Sequence, residues 1–489
     1  MEFLSLPFLL FLTVTAAVLR RCKAEFRNPW LLLCSVFFYA VSSPRYLWLL
    51  LFLSAAVFLG GRALAARRTK LTYGLSVLLV LSPLVYYKYT GFLLESLQKL
   101  GLFFTLSSSV SFGTDLLLPL GISFITFQAI SYLGDIYYGK LEPEKNLINL
   151  CLFLCYFPNV VSGPIQKARH MLGTLRNPRP FSYDFFRKGV LGFAFGALQK
   201  YYISDPLSRI ISAMLPEIGT YAGFQYLFFA LLYGIYIYAN FNAYSDMAIG
   251  ISRILGIPLC ENFRRPYLSR SVKEFWQRWH MSLNSWFLDY VYIPMGGSRR
   301  GNMRKYYNIL TVFFLSGLWH GAGFHFILWG LINAFYQIIG DLTGGARARL
   351  YEKAGISQTA PWVVLMKRVT VFLLICFSWL FFAIPDSAAA LNALLSLLTP
   401  SLSSLLGIKG ILAAAGFTSM GEVLFAALSV LSFGLFQWAR EGRSLYGWLK
   451  KSPGSLRNLI YILSAVFLIL GYFSGFQGYG NGGFIYGNF

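Results

Sequence analysis

The sequence predicts an all-α, polytopic membrane protein of about ten to twelve transmembrane helices plus short interfacial helices. Three observations carry this. Of 489 residues, 56% are hydrophobic and only 12% charged, whereas a soluble domain carries roughly a quarter charged residues. Apolar runs recur along the chain, each near the ~20 residues a helix needs to cross about 30 Å of hydrocarbon. The cations gather in short segments between those runs, as they do on the cytoplasmic side of membrane proteins.

The clear runs are 3–19, 46–63, 71–90, 116–137, 187–213, 222–241, 306–319, 324–340, 366–384, 422–439 and 457–475; weaker ones are 29–41, 146–163 and 403–417. The first run follows MEF with no basic segment before it, and Arg20, Arg21 and Lys23 come after it. It therefore reads as a first transmembrane helix rather than a signal peptide. Arg20–Arg27 reads as cytoplasmic, which puts the N-terminus outside. The runs 29–41 and 46–63 return the chain to Arg62–Lys70, also basic, so the pattern is self-consistent. Gly345–Lys367 is a mixed loop. Phe and Tyr, 46 and 31 in number, suit helix packing and interfacial aromatic belts.

The formal charge of +23 is read as loop bias and attraction to anionic lipid. No basic segment accompanies a nucleic-acid module, so nucleic acid is not an expected partner. The six cysteines form no framework. Cys151 and Cys155 lie one helical turn apart, but no further Cys or His follows at ligand distance, so no metal site is expected.

The stretch 261–305 stands out, with nine Lys/Arg against three acids. Ser271-Val272-Lys273-Glu274 fits a capping box. After it, Phe275, Trp279, Leu283, Trp286 and Tyr290 form one aromatic stripe, while Lys273, Gln277, Arg278 and Asn284 fall largely elsewhere. This predicts an amphipathic helix at the cytoplasmic interface, ended at Met295-Gly296-Gly297-Ser298.

Four histidines are present. His320 sits in TVFFLSGLWHGAGFHFILWG, flanked by apolar residues and by Gly317, Gly321 and Gly323. An ionisable group inside such a run is a functional-site hypothesis by default. An apolar setting favours neutral imidazole, the form a general base needs to take a proton from a hydroxyl. The plain alternative is a histidine hydrogen-bonded between helices. His280 lies on the amphipathic segment, one turn after Trp276; alone it reads as an interfacial packing residue. His325 follows His320 by five residues and does not share its face. His170 reads as structural or exposed. Asp246, in YANFNAYSDMAIG, either orients a site residue or ties two elements together. There is no Walker loop, GxGxxG fingerprint or GxSxG elbow, which argues against ATP-driven transport and serine hydrolysis.

Together these segments resemble the membrane-bound O-acyltransferases, most closely the bacterial branch of alginate and peptidoglycan O-acetylation membrane proteins. The matching stretches are LPLGISFITFQAISYLGDIYYG (118–139), YFPNVVSGPI (156–165), FNAYSDMAIGISRILG (241–256), ENFRRPYLSRSVKEFWQRWHMSLNSWFLDYVYIPMGG (261–297), LSGLWHGAGFHFILWG (315–330) and the terminal FIYGNF (484–489), which departs from the FIYFQF usual in the alginate type.

The resemblance implies one domain over 1–489, with N-terminal helices in 1–115, a catalytic core in 116–340 and C-terminal helices in 341–489, arranged around a central funnel. It implies His320 as the catalytic histidine and His280 as the second, more variable one. Asp246, Asn284, Arg278, Trp319 and Trp276 are supporting candidates; Arg264, Arg265 and Lys273 either contact donor phosphates or follow the positive-inside rule alone. The implied reaction moves acetyl from cytoplasmic acetyl-CoA, bound as substrate rather than cofactor, across a bacterial inner membrane. A periplasmic or extracellular acetyltransferase partner would then acetylate a cell-envelope polysaccharide. The alternatives are D-alanyl transfer to teichoic acid, a glycan transporter or flippase, and a structural scaffold for envelope assembly. The last two leave His320 without a specific task.

Overall fold

Helix ends fall where cap residues and charges place them. Helix α1 (Leu6–Arg21) begins after Ser5, whose hydroxyl accepts from the Phe8 N–H at 3.4 Å. It ends on Arg20 and Arg21, cations that suit the negative end of the helix dipole. The computed structural model describes residues 1–99, 118–399, 401–439 and 445–473, and all regular structure among them is helical. The terminal FIYGNF lies outside the described residues.

Helices α2 (Ala24–Ser42), α3 (Leu47–Ala66) and α4 (Lys70–Leu84) follow, and a π-helical turn, Val85–Tyr89, joins α4 to α5 (Thr90–Lys99). Helix α6 (Ile122–Tyr137) is buried along nearly its whole length. Helices α7 (Leu147–Cys155), α8 (Phe157–Val160) and α9 (Ala168–Arg176) are short; α10 (Tyr183–Gln199) and α11 (Asp205–Met214) lead into α12 (Phe224–Ile254). With 31 residues, α12 is ~46 Å long, more than a hydrocarbon core needs, and it is buried almost continuously from Tyr236 to Ser252. Then come α13 (Val272–Arg278), α14 (Met281–Phe287), α15 (Asn302–His320), α16 (Phe324–Leu342), α17 (Gly344–Lys353) and α18 (Pro361–Ala383). The rest are α19 (Ser387–Ser396), α20 (Leu402–Leu406), α21 (Ile408–Ala414), α22 (Met420–Ala439), α23 (Leu445–Lys451) and α24 (Gly454–Phe473).

Among the described residues, six helices are long and apolar enough to cross a membrane: Pro44–Ala66, Lys70–Gln98, Phe224–Ile254, Pro361–Ala383, Met420–Ala439 and Gly454–Phe473. Helices α16 and α17, bent by 46°, would make a seventh as one broken span. The apolar runs near 3–19 and 116–137 form helices of only 16 residues. The run 146–163 is broken at Tyr156, and 403–417 forms α20 and α21. Helices α22 and α24 expose Leu424, Leu428, Leu431, Leu435, Leu459, Ile462 and Val466, as lipid-facing helices do. The chain is a multi-pass membrane protein.

The stretch 261–305 departs from expectation. It does not form one amphipathic helix at the interface. The chain breaks at His280, which takes the left-handed conformation (φ 42°, ψ 53°) between α13 and α14. All five residues of the expected stripe are buried, from Phe275 at 0% to Tyr290 at 8% exposure. The reason is tertiary: this segment packs inside the bundle against α6, α12 and α15, so apolar neighbours surround it. The cap itself forms, with the Ser271 hydroxyl accepting from the Glu274 N–H at 3.1 Å. Glu274 reaches back to the Arg270 N–H at 2.6 Å, one residue earlier than a capping box requires.

Helices α15 and α16 form a hairpin at very close range. A Cβ on Gly317 would lie 2.3 Å from the Phe326 carbonyl oxygen, and one on Gly330 would lie 2.3 Å from that of Phe313. Small residues permit this approach, the usual way membrane helices gain packing without a hydrophobic driving force.

Candidate active site

His320 is the last residue of α15, at the top of that hairpin, and is 3% exposed. Its ring packs against Trp319 at 4.9 Å, Trp329 at 5.1 Å and Phe382 at 5.3 Å between centroids. Trp329 stacks in turn on Trp379 at 5.3 Å and meets Trp276 at 5.6 Å. The indole N–H groups of Trp276, Trp319, Trp329 and Trp379 are buried without a hydrogen-bond partner among the described residues. Buried donors are normally paired, so this cage holds donors available to an oxygen atom that enters it.

His280, read from the sequence as a packing residue, is 1% exposed, and its ring lies 5.9 Å from Trp319, the indole that His320 also touches. The left-handed break at His280 turns the chain back and brings α13 and α14 under α12, where Phe241 covers the imidazole edge-on at 4.8 Å.

The residue that orients His280 is Asn262, which the sequence reading passed over. Its Nδ2 donates to the Ser245 hydroxyl at 3.1 Å. Its Oδ1 accepts from the Ser282 hydroxyl at 2.8 Å and lies 2.9 Å from His280 Nδ1. With Oδ1 an acceptor, Nδ1 carries the proton, and the Nε2 lone pair is left without a partner among the described residues. This tautomer follows from the network, and it leaves the ring able to accept a proton at Nε2.

The other expected residues divide. Trp319 and Trp276 belong to the cage around His320. Asn284 does not face it: its Nδ2 donates to the carbonyls of Trp276 and, at 2.7 Å, Trp279, and so holds the α13–α14 break. Arg278 pairs with Glu274 at 2.5 Å, one helical turn earlier. Asp246 accepts from Asn242 and Gln199, both at 3.0 Å, and is not a direct partner of His280. It lines a cavity of about 870 Å³ with Arg179, Lys188, Arg253, Arg264 and Arg265. Asn262 and Ser245 line the same cavity, so a cation-rich space reaches the His280 network. Lys273 lies on a separate cavity of about 690 Å³, beside Arg270 and Arg347. It does not join Arg264 and Arg265, because the α13 cap turns it toward α16 and α17.

A charged cluster fixes this segment to α6 and to the start of α9. Asp289 accepts from Lys167 at 2.7 Å and Arg169 at 2.6 Å, and the Tyr290 hydroxyl donates to Asp135 at 2.9 Å. Burial pushes the Asp289 carboxyl up, but the hydrogen bonds and charges of Lys167 and Arg169 outweigh it and hold the group below its ordinary range. His170 is exposed on α9. Burial and the neighbouring Arg169 and Lys167 charges hold its imidazole below the usual range, and it takes no part in the cage. His325 packs on Phe326 at 4.1 Å. No group of three or more metal-ligating side chains occurs among the described residues.

The described residues form an all-helical membrane bundle in which two buried imidazoles meet at one indole. Sequence similarity places it further. Residues 144–383 match the membrane-bound O-acyltransferase family. The chain is 34% identical over 445 residues to a probable alginate O-acetylase of Pseudomonas aeruginosa, covering 88% of this chain and 81% of that one. It is 30% identical over 410 residues to the peptidoglycan O-acetyltransferase of Helicobacter pylori, covering 76% and 75%. It is 28% identical over 273 residues to the teichoic acid D-alanyltransferase of Bacillus subtilis, covering 54% and 68%. The chain belongs to the membrane-bound O-acyltransferase family and is an O-acyltransferase that depends on an acyl donor.

Proposed function

We propose that this protein moves acetyl groups from cytoplasmic acetyl-CoA, through the His280–His320 region, to O-acetylate an envelope or secreted polysaccharide. The observation that carries this reading is the continuity from the cation-lined cavity, through Asn262, to His280 and across Trp319 to His320. Arg179, Arg253 and Arg265 suit the phosphates of a CoA-type donor, since guanidinium forks match phosphate oxygens.

His320 acts as general base in this reading. Its imidazole takes the proton of the attacking hydroxyl, whose oxygen forms a bond to the acyl carbonyl carbon. The carbonyl π electrons move onto oxygen, where the indole N–H donors of the cage stabilise the developing charge. Collapse expels the donor thiolate, which takes up the proton. His280, with its free Nε2 lone pair, assists that proton transfer. Trp276 and Trp319 shape the cage; Asp246, Asn284 and Arg278 support the surrounding structure.

By the distribution of basic loops, the protein lies in the bacterial cytoplasmic membrane with its N-terminus outside. An acetyltransferase partner on the outer side would complete delivery to the glycan. Higher identity and coverage favour acetyl over D-alanyl as the transferred group. A glycan transporter gives the buried histidine pair no task.

The test replaces His320 by Ala, confirms membrane insertion and measures ester-linked acetate on the envelope polysaccharide. General acid–base catalysis contributes about 10²–10⁴-fold, so acetylation should fall by that order. Near-normal acetate in the variant would overturn the assignment.

A further inference from the structure

Lys88 is a cation within the apolar span Lys70–Gln98, and no part of the site described so far accounts for it. An ionisable side chain in such a place marks a function or a specific partner. Its partner is the end of the helix that carries His320. Lys88 Nζ donates to the carbonyl oxygens of Trp319 at 2.7 Å and His320 at 3.1 Å, and the Tyr89 hydroxyl donates to that of Leu318 at 2.7 Å.

These contacts complete an account. An α-helix leaves its last four carbonyls without a donor inside the helix. In α15 these belong to Gly317, Leu318, Trp319 and His320. The Gly321 N–H reaches Gly317 at 3.4 Å; Lys88 and Tyr89 satisfy the other three. Both come from the π-helical turn Val85–Tyr89, a local register change of a kind found frequently at functional sites. The ammonium also sits at the negative end of the α15 dipole. Past His320 the helix cannot continue: Gly321 is extended (φ −166°), and a Cβ there would lie 1.9 Å from the Phe326 ring. The last turn of α15 is thus held from outside, by residues more than 200 positions earlier in the chain.

We propose that Lys88 and Tyr89 are positioning residues for His320: they fix the final turn of α15 and thereby the direction of the imidazole. This rests on the reading of His320 as catalytic. A misplacement of about 1 Å costs on the order of 10²-fold in rate, so loosening one helical turn is enough to matter without unfolding the bundle.

The experiment compares wild type with Lys88→Met, Lys88→Arg, Tyr89→Phe and His320→Ala in membrane vesicles. It reads the initial rate of acyl transfer from acetyl-CoA per folded molecule, and the acetyl-CoA concentration at half-maximal rate. Lys88→Met should lose on the order of 10²-fold in rate, with the half-maximal concentration unchanged. Lys88→Arg, which keeps a charged donor, should recover most of that loss, and Tyr89→Phe should show a smaller loss than Lys88→Met. A wild-type rate per folded molecule in Lys88→Met, beside an inactive His320→Ala, would overturn the positioning role alone. If Lys88→Met does not accumulate as folded protein, Tyr89→Phe, which loses one hydroxyl, decides in its place: a normal rate there overturns the inference. A near-normal rate in His320→Ala instead removes the catalytic reading on which the inference stands.

Discussion

The Nδ1 of His280 lies 2.9 Å from the Oδ1 of Asn262, and this contact joins the segments that precede and follow α13. Because Asn262 also engages Ser245 and Ser282, it specifies both the tautomer and the orientation of the ring. Asn262→Leu should therefore leave buried polar groups unsatisfied, at about 1–3 kcal/mol, and slow acyl transfer roughly 5- to 150-fold. Rates in vesicles, normalised to folded protein, check this; an unchanged rate would mean that His280 needs no orienting partner.

The cation-lined cavity makes a prediction about donor binding. Arg253→Gln with Arg265→Gln should raise the KM for acetyl-CoA by more than about tenfold, since each hydrogen bond to a charged group contributes roughly 1.5–3 kcal/mol, and leave kcat nearly unchanged. Lys273→Gln, on the separate cavity, should leave KM alone. The opposite ranking in steady-state kinetics would remove the cavity from the donor path.

Acid should weaken the protein through Asp289. Its folded carboxyl titrates below the unfolded one, so its contribution to stability is present above the unfolded pKa of about 3.9 and is lost as pH falls through the folded value. Asp289→Asn should therefore lower the unfolding temperature in detergent at pH 7 and flatten its decline toward low pH. Equal acid limbs for the two proteins would exclude Asp289 as a source of that dependence.

The α15–α16 crossing should tolerate no methyl group added at Gly317. Gly317→Ala places a Cβ 2.3 Å from a backbone oxygen, an overpacking that costs about 1–3 kcal/mol. Thermal unfolding should begin several degrees lower, and acyl transfer should fall with it because His320 lies one turn away. Gly340, whose Cβ would meet nothing within 4 Å, provides the control: Gly340→Ala should behave as wild type.

Much was legible in the sequence because a bilayer imposes strong, local rules. Low charge, recurrent apolar runs and basic loops follow from the cost of placing polar groups in hydrocarbon, and they identify a multi-pass helical protein residue by residue. His320 stood out for the same reason, as an ionisable group in an apolar run. The Ser271 cap was readable because a cap is made by neighbours a few residues apart. The tertiary structure alone decided the rest. It broke the expected amphipathic helix at His280, buried that histidine beside Trp319, gave it Asn262 as a partner, and sent Lys273 to a different cavity from Arg265. It also brought Lys88 to the carbonyls of His320. Each of these depends on contacts between distant segments, where packing and the pairing of buried polar groups override periodicity, and no local pattern encodes such pairs.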